Sequence, residues 1–131
     1  MTARGTFEVT ITPQTSNSHD GITEQRAGLD KRYHGHLDAV GAGTMLSTTT
    51  AAPGSAGYVA MERVAGTLHG RRGAFVLQHH GLMQRGQQQL SVTIVPDSGT
   101  GELAGITGQC HITVAKGAHS YELHYTLGVV R

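Results

Sequence analysis

The sequence predicts an all-β fold, a single antiparallel β-barrel of about eight strands. Three observations point there. From Ser55 to Gly108 the chain is cut by glycine at intervals of about eight to twelve residues. Between the cuts, apolar and polar residues alternate with a period of two. Helix formers never run long without a glycine or a β-branched residue, which argues against a helical bundle. The 131 residues suffice for one domain with a real core, and no linker or repeat divides 1–131.

Each element has its own signal. Gly5–Pro13 places Phe7, Val9 and Ile11 on one face and Glu8, Thr10 and Thr12 on the other, a half-buried strand ended by Pro13. Gln14–Gly21 reads as a polar, mobile loop. Ile22–Leu37 reads as two strands hinged near Gly28. Asp38–Thr50 is a strand with a glycine-rich start, and Ala51–Gly57 a turn. Tyr58–Gly70 and Gly73–Arg85 form the clearest hairpin, joined at Gly70-Arg71-Arg72-Gly73. Gln88–Val95 precedes a turn at Pro96-Asp97-Ser98-Gly99. Glu102–Ile106, Gln109–Ala115 and His119–Val129 complete the sheet, the last two joined at Lys116-Gly117-Ala118. Successive antiparallel neighbours are the favoured topology, and closure would remove exposed edges. A two-sheet sandwich satisfies the same strand count.

Composition narrows the function. A net charge of +1 gives no electrostatic footprint for nucleic acid. No apolar run approaches the length of about 20 residues that spans a membrane. Cys110 is the sole cysteine, and Met1–Thr10 does not read as a signal peptide, so the expected location is the cytoplasm. Nine histidines would make the chain strongly cationic below about pH 6.

Tyr58, Ala60, Glu62 and Val64 share one face of their segment; Phe75, Leu77, His79, Gly81 and Met83 share one face of the next. Near the end, His119, Tyr121, Leu123, Tyr125 and Leu127 line a face opposite Ser120, Glu122, His124 and Thr126. The large apolar groups mark these as inward faces. They carry Tyr58, Glu62, His79, Tyr121 and Tyr125 inward, with His119 at the rim. An acid, an imidazole and phenols are the equipment of proton transfer: Glu62 or His79 as base, Tyr121 or Tyr125 as donor to an oxyanion. Desolvation would raise the Glu62 pKa. The competing reading is a buried Glu62–His79 pair that only fixes register.

His34, His36 and Asp38 share a strand face and could hold zinc or iron. The glycine between the histidines weakens that reading, so no metal site is assigned. No dinucleotide fingerprint, phosphate loop or nucleophile elbow is present, so no cofactor is expected.

The blocks GYVAMERVAGTLHGRRGAFVLQHHG, LSVTIVPDSGTGELAGITG and HSYELHYTL resemble a bacterial family of unknown function, domain-of-unknown-function family thirty-two twenty-four, over about Leu37 to Leu127. The resemblance implies a small single-domain barrel similar to that of allene oxide cyclase. It places the family pattern on Tyr58, Glu62, His79, His119, Tyr121 and Tyr125, among glycines at the bends. Relatives often carry acidic residues around His36 and Asp38, and His34 and His36 depart from that. The barrel resemblance implies a central cavity with a hydrophobic ligand and cofactor-free cyclisation or isomerisation; the inward residues themselves suit a small apolar or aromatic ligand and an isomerase, cyclase or eliminase. The alternative is a non-catalytic structural barrel that forms homodimers through outer faces carrying Arg63 and His124.

Overall fold

The computed structural model describes residues 1–128. Nine strands follow in chain order: β1 (Thr2–His19), β2 (Ile22–Gly35), β3 (Leu37–Thr49), β4 (Ala56–Leu68), β5 (Arg71–Gln84), β6 (Gln87–Ile94), β7 (Thr100–Gly101), β8 (Ile106–Ala115) and β9 (Ala118–Leu127). All pairings are antiparallel, in the order β4-β3-β2-β1-β9-β8-β6-β5, and β4 also pairs with β5. The sheet therefore closes into an eight-stranded barrel, with the short β7 added to the lower part of β5. Among the described residues no helix is long and apolar enough to cross a membrane.

Side-chain alternation drives closure. Phe7, Leu29, Tyr33, Leu37, Ala39, Val64, Phe75, Leu77, Val92, Ile94, Cys110, Tyr121 and Leu123 all point inward and are buried. This apolar burial is the main favourable term, at about 25 cal/mol per Å².

Several expected boundaries shift. Gln14–His19 is strand rather than loop: β1 continues through a register break between Pro13 and Thr15 and pairs with Ile22–Arg26. The ladder holds these polar residues although both their faces are exposed. Gly28 is no hinge; it pairs with Thr12 and Thr44 inside a continuous β2. The β4–β5 turn is His69-Gly70, with φ of 48° and 79°, and Arg71 already belongs to β5. Two left-handed residues match the right-handed twist of a tight hairpin. Glu102–Ala104 makes turns, not a strand, and β8 begins at Ile106. Val129, expected at the end of the last strand, lies outside the described residues.

The two barrel ends differ. The lower end collects the β2–β3 and β4–β5 turns and the 95–105 connection, where Leu68, Leu103 and Ile106 are fully buried. The upper end collects the β1–β2 and β5–β6 hairpins and the 50–55 loop. From Glu8 onward β1 has no β9 partner, so the upper rim is uneven.

Candidate functional site: a buried carboxylate cluster under the upper mouth

Glu62 points into the barrel from the middle of β4 and is wholly buried. It sits opposite Gly43 on β3 and Leu77 on β5. Gly41 makes room for it: a Cβ there would lie 2.1 Å from Glu62 Oε2. Three donors surround the carboxylate. Lys31 Nζ donates to Oε1 at 3.1 Å. His79 Nε2 meets the same oxygen at 2.8 Å. Tyr33 OH donates to Oε2 at 2.5 Å. The ammonium of Lys31 also lies 4.8 Å from the Phe7 ring centroid, a cation–π contact.

Burial pushes the Glu62 carboxyl up, but the His79 hydrogen bond, the Lys31 charge and the Tyr33 hydroxyl together outweigh it. The group is held below the ordinary carboxylate range, against the expected rise. Burial and the adjacent carboxylate push the Tyr33 phenol up, so it stays a donor. The carboxylate is charged and can only accept, so His79 Nε2 carries the hydrogen.

Among the described residues, the only bond of the His79 side chain runs through Nε2. The His79 side chain is 3% exposed, and among the described residues no fully buried side-chain nitrogen or oxygen lacks a partner. Gly81, the next inward position on β5, puts no side chain above His79. The Tyr58 ring packs against that glycine; a Cβ there would lie 2.4 Å from the ring. Above it opens a cleft of about 280 Å³, lined by Met45, Ser47, Tyr58, Met83, Gln88 and Leu90 among others.

The other residues read from the sequence point inward but lie elsewhere. Tyr121 is at the lower end, where its hydroxyl accepts from the Leu37 amide at 2.9 Å and donates to the His34 carbonyl at 2.8 Å. The Tyr125 hydroxyl bonds His69 Nδ1 at the same end. The His119 ring lies 5.1 Å from that of Phe7. The structure thus brings together Glu62 and His79, sets Tyr58 above them, and separates Tyr121 and Tyr125 from the carboxylate.

Lys31 and Tyr33 were missed. Their signal was present in the alternation Ala27, Leu29, Lys31, Tyr33, an apolar face with one cation in it. His34 Nε2 contacts Glu8 at 2.7 Å on the outer face. His36 turns to the lower end, where its Nδ1 accepts the Arg4 amide at 3.0 Å. That bond requires the hydrogen on Nε2, so His36 offers no ring lone pair to a metal while it holds.

A closed antiparallel barrel with a charge-balanced Lys–Glu–His–Tyr cluster under an open mouth is the class of protein that fold and site define. The chain belongs to the family described as "Protein of unknown function (DUF3224)", whose model matches residues 3–125. It is similar to a crystal structure of a DUF3224 family protein with unknown function from Shewanella oneidensis MR-1. The two share 43% identity and a TM-score of 0.95, over 99% of this chain and 98% of that one. No curated protein matches the chain.

Proposed function

We propose that this protein is a cytoplasmic small-molecule-binding barrel whose ligand, small and apolar or aromatic, enters the upper mouth and reaches toward His79. The observation that carries the reading is the apolar cleft of Met45, Tyr58, Met83 and Leu90, whose lining includes Gly81, the inward position next to the buried His79 on β5. Such a concave, mostly apolar site with few polar groups is typical of ligand pockets.

The same geometry reassigns roles for chemistry in the cleft. Glu62 is a positioning carboxylate, since its donors occupy it and hold it ionised. His79 Nδ1 is the base: it takes a proton from the carbon between a carbonyl and a C=C bond, the C–H pair forms a new C=C bond as the carbonyl π pair moves onto oxygen, and the proton returns at the far carbon of the resulting dienolate as the carbonyl re-forms. Tyr58 is the phenol on the mouth side. This is cofactor-independent isomerisation.

The test is fluorescence titration with N-phenyl-1-naphthylamine, an uncharged aromatic probe. Saturable binding is expected for the wild type and its loss for Met83→Trp, which fills the cleft. Unaltered probe binding in Met83→Trp would end the reading. His79→Phe is expected to keep the fold and probe binding while abolishing hydrogen exchange or isomerisation of enolisable ketones.

A further inference from the structure

The outer face of β3–β5 is unlike the rest of the barrel wall. Leu46, Val59, Met61 and Leu82 stand on it, each about half exposed (53%, 48%, 49% and 52%). They are contiguous by register: Leu46 is opposite Val59, and Val59 opposite His80. Leu82 leans over Gly57, its Cδ2 lying 3.2 Å from where a Cβ there would stand. A groove of about 550 Å³ runs across this face and is lined also by Glu24 and Arg26 of β2. Neither of those two charges has an ion-pair partner among the described residues. Across this face β3, β4 and β5 are paired along both edges, so a partner must meet the face rather than add a strand to it.

The register makes this face self-complementary. One level across the strands runs Gln25, Ser47, Tyr58, Gly81 and Leu90. One step above it lie Glu24, Thr48, Gly57 and Leu82; one step below lie Arg26, Leu46, Val59 and His80. A two-fold axis along the middle level, perpendicular to the strands, exchanges the upper row of one copy with the lower row of the other. Glu24 then meets Arg26 twice, once on each side of the axis. Val59 meets the Leu82 side chain that covers Gly57. An isologous interface needs this property: residue i opposite j, and j opposite i.

We propose that this face is a two-fold interface between two copies of this chain, with Val59 and Leu82 at its apolar centre and reciprocal Glu24–Arg26 pairs at its rim. Of the two outer-face residues considered from sequence, Arg63 shares the outer face of β4 with Val59 and Met61, lower on the wall. His124 stands on β9, across the barrel, where it is tied to Glu122 and Thr2. The proposal does not rest on the ligand reading: Glu24, Arg26 and Val59 stand outside the mouth cleft, although Leu82 borders it as well.

Sedimentation velocity over a dilution series tests it, with Glu24→Arg, Arg26→Glu, the double exchange and Val59→Lys. The wild type is expected to dimerise. Each single reversal places like charges together twice and should weaken the dimer by about tenfold or more. The double exchange restores both pairs and should return the dimer to within about threefold of wild type. Val59→Lys should be monomeric with an unchanged circular dichroism spectrum and melting temperature. A wild type that stays monomeric at the highest concentration overturns the proposal. So do single reversals without effect, and so does a double exchange as weak as the singles.

Discussion

The two ends of this barrel solve one problem in opposite ways. At the lower end backbone turns converge, and the structure answers with side chains that reach across strands. Tyr121 bonds the Leu37 amide, Tyr125 bonds His69, and His36 bonds the Arg4 amide. The rings of His36 and His69, 4.9 Å apart and tilted by 32°, cover the join. At the upper end the strands run on beyond β9, and Met45, Tyr58, Met83 and Leu90 border open space. Between the ends lies a charged cluster in which every donor has its acceptor. Phenols therefore close one end as structural ties, while a phenol at the other end stands at the entrance. A tyrosine inside a barrel is defined by its level along the axis as much as by its face.

Four measurements would break or sharpen this contrast. The largest effect is expected at its centre. Glu62→Leu leaves the Lys31 ammonium buried without a counter-charge, and should cost about 3–5 kcal/mol in urea unfolding. Adding Lys31→Met to Glu62→Leu should restore much of that loss, because an apolar replacement of a buried pair is tolerated far better than half a pair. A double variant as unstable as the single would show that the pair itself, rather than the orphaned charge, sets stability.

Acid should act on the same place. The Glu62 carboxyl is held below its unfolded-state pKa, so its contribution is fully present above the ordinary carboxylate range. It is lost as pH falls through the depressed folded value. Stability of wild type over Glu62→Gln, followed by urea unfolding, should therefore be constant near neutrality and shrink below about pH 4. A constant difference down to pH 2 (about two units below the ordinary value) would contradict an ionised Glu62.

Next comes the lower end. Tyr121→Phe removes the hydroxyl that joins Leu37 to His34 and should cost about 1–3 kcal/mol. Hydrogen exchange of the Leu37 amide should accelerate while probe binding at the mouth is kept. Loss of probe binding in this variant would mean that the two ends are coupled.

The smallest effect on stability belongs to the mouth. Met83→Ala, at a half-buried site, should change stability by less than about 1 kcal/mol yet weaken the naphthylamine probe. Cys110 offers a silent control. Burial pushes its thiol up to about 12, so it should resist thiol reagents at neutral pH until the barrel unfolds.

Much of this was legible in the residues. Period-two alternation assigned the inward faces of β4, β5 and β9, and so turned Glu62 and His79 toward the core. Two things were not legible. Alternation says nothing about level, because the stagger between strands sets which inward residues meet; Tyr121 was grouped with Glu62 although it bonds the lower turn. Alternation also fails where both faces are wet, which is why Gln14–His19 read as a loop. Glycine carried mixed signals. His69-Gly70 marked a turn that was placed two residues late, while Gly28 marked nothing but a strand position. The clearest unread sign was Gly41, whose missing side chain leaves room for the Glu62 carboxylate.

The seam that closes the ring has a consequence for how the chain acquires its shape. Thr2–Phe7 finds its partners in His119–His124, at the far end of the chain. Every other wall strand except β6, whose link to β8 is two residue pairs, meets its neighbour through a local hairpin or a short connection. During synthesis the first strand must wait, its free edge open, until the last strand emerges from the ribosome. Zippering of the early hairpins is local and fast, whereas cyclisation pays the entropy of a loop nearly as long as the protein. Barrel closure is thus the slow, late event. The interval before it is when a chaperone, or another nascent copy, can lay claim to that waiting edge.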